Sequence, residues 1–145
     1  MNPPGVLLDT GPLVALLPAN DANHDRARRL FAECAPPLRC CEAVLAEACF
    51  LLRKVHSGGP SEVIALGSRG LYEISLSVQD HWIGIEALLK KYANRPISLA
   101  DACLIRSAEI HDDARILTFD SDFRVYRWKR TRRFEVLGVD RQVSL

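Results

Sequence analysis

The chain has 145 residues, 48% of them hydrophobic and 26% charged, a balance that suits one globular domain over residues 1–145 and excludes dominant disorder. No apolar run approaches the ~20 residues of a membrane span, and the opening Met1-Asn2-Pro3-Pro4 lacks the basic start and apolar stretch of a secretory signal. The expectation is a soluble cytoplasmic protein without a membrane partner, and 19 Lys and Arg against 18 Asp and Glu give a net +1 that names no partner by itself.

Val6-Leu7-Leu8 reads as a short strand ending at Asp9, and Thr10-Gly11-Pro12 then opens a helix, with Pro12 suited to its first turn. Ala27, Leu30, Phe31 and Cys34 fall at helical spacing until Pro36-Pro37 stops the helix, and Leu38-Arg39-Cys40 can form a second strand. A helix follows from about Glu42 to Val55, with Val44, Leu45, Ala48, Cys49, Leu52 and Val55 on its apolar side, and Ser57-Gly58-Gly59-Pro60 ends it. Residues 61–69 look helical, Leu71 to Leu76 alternates like a strand, and 79–93 is an amphipathic helix closed by Asn94-Arg95-Pro96. Ser98 begins a helix to about His111. Arg115 to Phe119 is a strand delivering Asp120, and Phe134 to Val139 is the last strand. Strands alternating with helices point to a parallel sheet covered on both faces, in which sites form where strands end and helices begin.

That rule selects the acids worth attention. Asp9 follows the first strand and Asp120 follows the strand Ile116-Leu117-Thr118-Phe119, so both project at one rim. Asp101 lies in the first turn of a helix that leads back into the Asp120 strand, and Glu47 lies near the start of the helix after the second strand. Asp122 is one bend from Asp120. Each has a plainer explanation: Ser98 to Asp101 fits a capping box, and Asp9 and Asp120-Ser121-Asp122 fit turns. Glu47, alone among apolar neighbours from Ala43 to Leu52, is on a wet side of its helix or held by a partner. Carboxylates gathered together take up protons or a cation. Hard oxygen ligands favour Mg²⁺ or Mn²⁺ over zinc, and Mg²⁺ is commonly shared with substrate phosphate, which fits phosphodiester hydrolysis.

Val6 to Leu16 (with Asp9-Thr10-Gly11-Pro12 at its centre), Val44-Leu45-Ala46-Glu47, Ser98-Leu99-Ala100-Asp101-Ala102 and Leu117-Thr118-Phe119-Asp120-Ser121-Asp122-Phe123 together resemble the four motifs of PIN-domain ribonucleases, particularly VapC-type toxins. No one motif is specific, but the four occur in order and with matching spacing. The resemblance implies a three-layer α/β/α sandwich with a parallel sheet of four or five strands, RNA as substrate, cleavage dependent on one or two Mg²⁺ or Mn²⁺ ions, frequent homodimers and an antitoxin partner. It implies that Asp9, Glu47, Asp101 and Asp120 hold the metal, that Asp122 assists, and that Thr10 and Thr118 support the site. Cys41 departs from the pattern, since relatives often open that helix with Ser or Thr.

Residues 124–133 hold six of the basic residues, Arg124, Arg127, Lys129, Arg130, Arg132 and Arg133, leaving the rest of the chain acidic. Placed directly after the acidic motif, with Tyr126 and Trp128 interleaved, they suggest an RNA-binding segment whose rings could stack on bases; the alternatives are a solvated loop with both rings packed inward, or a surface for an acidic partner. The five cysteines are odd in number and lack metal-binding spacing. His24, His56, His81 and His111 likewise show no ligand pattern. Tyr92, Phe50 and Phe31 read as core or dimer contacts. Rival readings are a haloacid-dehalogenase-like phosphatase, which wants an Asp where Gly11 stands, a receiver domain, whose acidic pair and lysine are missing, and a PIN-fold binding or scaffolding module without turnover.

Overall fold

In the computed structural model, residues 5–139 are described; the expectation drawn from Met1 to Pro4 lies outside them. Five short strands form a parallel sheet in the order β3-β2-β1-β4-β7. The central strand β1 (Val6–Leu8) is buried at every position, and β2 (Leu38–Cys40) and β4 (Arg115–Leu117) flank it. Outside these run β3 (Tyr72–Ile74) and β7 (Glu135–Leu137). The expected α/β/α sandwich with a parallel sheet of four or five strands is therefore present with five, and helices lie on both sides of the sheet.

Three pairs of helices connect the strands. The first pair is α1 (Thr10–Ala15) and α2 (His24–Ala32); α3 (Glu42–Leu52) and α4 (Gly59–Ser68) form the second, and α5 (Trp82–Lys91) and α6 (Leu99–His111) the third. The third helix stops at Leu52, so Val55 falls outside it and is exposed, as is Phe50, over whose ring Arg53 lies at 4.5 Å. Phe31 and Tyr92 are buried as expected. Helix α6 buries residues all around its circumference, among them Ala100, Ala102, Cys103, Leu104, Ile105 and Ala108. Such an apolar, weakly amphipathic helix belongs inside the fold rather than on its surface. Four of the five cysteines, Cys34, Cys40, Cys41 and Cys103, are buried, Cys49 is half-buried, and all five are free thiols.

The order of strands places a topological switch between β1 and β4, where connections depart in opposite directions. Leu8 pairs with Leu117, so the next residues, Asp9 and Thr118, meet at the carboxyl ends of the two strands. The Asp9 amide donates to the Leu117 carbonyl at 3.0 Å and the Thr118 amide to the Leu137 carbonyl at 3.0 Å. These bonds fix the rim on which the acidic residues stand.

The stretch after Asp120 behaves differently from its sequence reading. It forms a 3₁₀ turn (Ser121–Arg124) and then a two-stranded antiparallel hairpin, β5 (Arg127–Trp128) and β6 (Arg132–Arg133). Because β7 is parallel to β4 and pairs Glu135 with Arg115, the chain must return to the end of the sheet where the strands begin before β7 starts. The hairpin turn lies there: the Lys129 amide donates to Glu109 Oε2 at 2.8 Å, and Lys129 Nζ pairs with Asp112, which caps the far end of α6. Lys129 and Arg130 take left-handed φ of 45° and 72° to make this reversal.

Candidate metal centre

Each acid at the rim is fixed by a local backbone device, and the devices converge. Asp9 caps α1, accepting from the Thr10 amide at 2.8 Å, while its second oxygen accepts from the Thr118 hydroxyl at 2.6 Å. Asp101 completes a capping box with Ser98, whose hydroxyl accepts from the Asp101 amide at 3.0 Å; the Ser98 amide and the Tyr126 hydroxyl donate to Asp101 Oδ2 at 3.4 and 3.2 Å. Asp120 accepts from the Asp122 amide at 2.9 Å and opens the 3₁₀ turn. Its own amide donates to Thr118 Oγ1 at 2.9 Å. The plain capping and turn readings of these acids are all correct as geometry, and the caps are what aim the carboxylates at one point.

Oxygens of Asp9, Asp101 and Asp120 lie within 4.8 Å of one another. They share an open cleft of about 420 Å³ with Thr10, Gly11, Glu47, Leu51, Pro96, Ser98 and Phe119. Glu47 reaches the cleft from α3 and accepts from the Thr10 hydroxyl at 2.8 Å, outside the three-carboxylate group. Thr10 and Thr118 thus brace Glu47 and Asp9 respectively. Among the described residues, no lysine or arginine lines the cleft.

The electrostatics follow from this crowding. Burial, opposed by the Thr118 and Thr10 bonds and reinforced by the charges of Asp101 and Asp120, pushes the Asp9 carboxyl up to about 6. Asp101 is also raised, first by burial, then by the charges of Asp120 and Glu47 against the opposing bonds from Ser98 and Tyr126. Tyr126 is held in its protonated form by burial and the Asp101 charge, which suits its role as donor. Carboxylates this close retain protons unless a cation neutralises them. An all-oxygen donor set on rigid caps fits a hard divalent ion such as Mg²⁺ or Mn²⁺, and Asp9, Asp101 and Asp120 are the residues that could hold it, with Glu47 beside them.

The remaining expected site residues are placed apart from the cleft. Asp122 turns its carboxylate toward Arg95, at 2.9 Å, and does not line the cleft. Tyr126 and Trp128 are buried, so the expectation that they stack on bases is overturned: Tyr126 packs edge-on against Tyr92 and Phe123, with centroids 4.9 and 5.2 Å apart. The basic segment does not remain beside Asp120 as its adjacency in sequence suggested. Arg124 alone stays in the 3₁₀ turn, donating to the Val139 carbonyl, while Arg127 turns Nη1 to the carbonyls of residues 124–126. Lys129, Arg130, Arg132 and Arg133 are carried to the far end of α6, about 12 Å along the helix from Asp101. Sequence reading passed over Arg95 and also Arg26, which reaches the rim from α2, lying 5.0 Å from the centroid of Phe119 and donating to the Gly138 carbonyl. Neither carries a motif; only the expected turn at Asn94-Arg95-Pro96, directly before the Ser98 cap, hinted that Arg95 is near the rim. None of the four histidines lines the cleft: His24 meets the Ala15 carbonyl, His56 pairs with Glu62, His81 lies in the 3₁₀ turn before α5 and His111 meets the Ser75 carbonyl.

Comparison with known proteins agrees with this architecture. The PIN domain family model matches residues 6–129. Among solved structures, VapC20 of Mycobacterium tuberculosis, described as a sarcin-ricin loop cleaving toxin, superposes with a TM-score of 0.76 at 24% identity, covering 88% of this chain and 99% of that one. No curated protein matches the sequence.

Proposed function

The chain belongs to the PIN-domain family, and from that premise we propose that it is a metal-dependent endoribonuclease acting on RNA phosphodiester bonds. The observation that carries this reading is the convergence of Asp9, Asp101 and Asp120 within 4.8 Å at the switch point of the sheet. Asp9, Asp101 and Asp120 would hold one or two Mg²⁺ or Mn²⁺ ions, with Glu47 as a further ligand directly or through water. When bound, such an ion supplies an acidified water as nucleophile and stabilises charge on the phosphate and the leaving oxygen.

The chain's own residues do the positioning. Thr118 and the α1 amide hold both Asp9 oxygens in place, Tyr126 and Ser98 hold Asp101 Oδ2, and Thr10 holds Glu47. The cleft is open to solvent, so a large substrate can reach it. A phosphatase built on Asp9 as nucleophile fits poorly: both oxygens of Asp9 already accept hydrogen bonds in a buried setting, and Gly11 stands where that chemistry needs a second acid. Likeness to a toxin extends the proposal to an antitoxin partner. Homodimeric assembly and a cytoplasmic setting belong to the same proposal; none of the described helices is long and apolar enough to cross a membrane.

The test is cleavage of a labelled RNA with Mg²⁺ or Mn²⁺, with EDTA, and with the variants Asp101→Asn and Glu47→Gln. The expected result is metal-dependent endonucleolytic products, lost by more than about a hundredfold in Asp101→Asn. Equal cleavage by wild type and Asp101→Asn would refute the assignment.

A further inference from the structure

The cleft presents a problem of charge. Among the described residues its lining carries four carboxylates and no basic residue, yet the proposed substrate is a polyanion whose scissile phosphate must come to rest among them. One divalent ion offsets half of the four carboxylate charges and two offset them all, leaving no positive charge over for the phosphodiester itself. A cation beside the cleft would draw the RNA backbone in; Arg26, which reaches the rim, is engaged with the Phe119 ring and the Gly138 carbonyl, and the basic hairpin lies at the other end of the strands, beside the end of α6.

Arg95 meets this need by position. It immediately precedes Pro96, which lines the cleft, in the loop between α5 and the Ser98 cap. Its side chain is about one-third exposed and donates from Nη1 to Asp122 Oδ1 at 2.9 Å. Asp122 is the one side-chain partner of Arg95 among the described residues, so most of the five N–H donors of the guanidinium have no partner there. Asp122 is itself fixed by its amide, which donates to Asp120 Oδ1. Two consecutive bonds thus tie the guanidinium to the carboxylate cluster: Arg95 to the Asp122 side chain, and the Asp122 backbone to Asp120. A planar guanidinium with free donors is suited to gripping a phosphate oxygen pair.

We propose that Arg95 binds a backbone phosphate of the RNA at the mouth of the cleft and that Asp122 is a positioning residue that orients Arg95, rather than a metal ligand. The inference rests on the ribonuclease reading above and names how that site takes its substrate. It assigns to the Asp122 carboxylate a task that its ion pair with Arg95 fits.

The experiment measures binding of a fluorescent single-stranded oligoribonucleotide with Ca²⁺ in place of Mg²⁺, over a range of salt, alongside steady-state cleavage with Mg²⁺ and Mn²⁺ titration by calorimetry. Arg95→Ala should weaken RNA binding about tenfold and lower the steepness of its logarithmic salt dependence by about 0.7, the value for one phosphate contact on a single strand. KM should rise by a similar factor, with kcat within about twofold. Arg95→Lys should keep the salt dependence while recovering only part of the affinity. Asp122→Ala should raise KM severalfold in the wild-type background and have no further effect in Arg95→Ala, because its action passes through that residue. Mn²⁺ affinity should be the same in all of these proteins. An unchanged salt slope in Arg95→Ala, an Asp122→Ala effect that adds fully to that of Arg95→Ala, or a loss of Mn²⁺ affinity in Asp122→Ala would each overturn the inference while leaving the ribonuclease reading standing. A wild-type protein without metal-dependent RNA cleavage would overturn the ribonuclease reading, and this inference with it.

Discussion

Replacing Asp9 with Asn removes one charge from the most enclosed carboxylate of the cluster, and the metal-free protein is expected to become more stable at neutral pH. Asp9 is 6% exposed, and its carboxyl is pushed from the ordinary 3.8 up to about 6, chiefly by burial. At pH 7.5 this corresponds to a penalty of about 3 kcal/mol on the folded state, because the ionised form is disfavoured there and not in the unfolded chain. Below pH 3.8 both states hold the proton and the penalty is absent; between 3.8 and about 6 the folded state binds more protons than the unfolded one, so stability falls as pH rises. Asn retains an acceptor for the Thr10 amide and remains a good helix cap, but its contact with the Thr118 hydroxyl becomes a neutral bond, at a cost of about 1 kcal/mol. The net expectation at pH 7.5 is a gain of about 2 kcal/mol, or roughly 4–8 °C in Tm. By pH 4.5 the wild-type penalty has shrunk to about 1 kcal/mol and the two proteins should coincide. The assay is urea denaturation in EDTA at both pH values, with a parallel series in Mg²⁺, which should stabilise wild type more than the variant. If Asp9→Asn is less stable than wild type by the same amount at both pH values, the Asp9 carboxylate is not under electrostatic stress and the argument for a cation demand fails.

Tyr126→Phe removes the hydroxyl donated to Asp101 while keeping the buried ring contacts. Asp101 should then hold its proton to higher pH, so Mn²⁺ affinity measured by calorimetry should fall severalfold at pH 6 and less at pH 8; a loss independent of pH would contradict this. Neutralising Arg130, Arg132 and Arg133 together should change kcat/KM for RNA less than about twofold, since the hairpin stands at the far end of α6; a tenfold loss would show that the substrate reaches that end. Gly138→Ala should cost about 2 kcal/mol or more in urea denaturation. Gly138 has a φ of 105°, and a Cβ there would lie 2.5 Å from the Thr118 carbonyl oxygen. Stability equal to wild type would mean that the β4 to β7 junction yields more easily than its geometry implies.

Much of the rim was readable in the sequence because each acid stands at a boundary that local rules mark. Asp9 follows three buried apolar residues, Asp101 sits three positions after a capping serine, and Asp120 ends an apolar run. Glu47 stood out as the lone acid among the apolar residues around it. Where reading failed, it failed on direction. A basic run adjacent to Asp120 says nothing about where the chain goes next, but a parallel β7 beside β4 with no helix between them obliges the intervening residues to cross back to the end where the strands begin, and that signal was present in the expected last strand. The burial of Tyr126 and Trp128 follows from the same return path, because a hairpin lying along α6 must cover it with something apolar. Arg95 was hidden for another reason: a lone arginine in a Pro-bounded turn acquires meaning only when Asp122 is seen facing it.

The bond between Thr118 and Asp9 spans 109 residues of sequence, and it closes the pairing of β1 with β4 on which the rim depends. A chain cut short anywhere before residue 118 therefore holds Asp9, Glu47 and Asp101 without the strand that brings them to a common edge. In a protein whose proposed activity destroys RNA, the rim on which that activity would depend is complete only once β4 is in place beside β1.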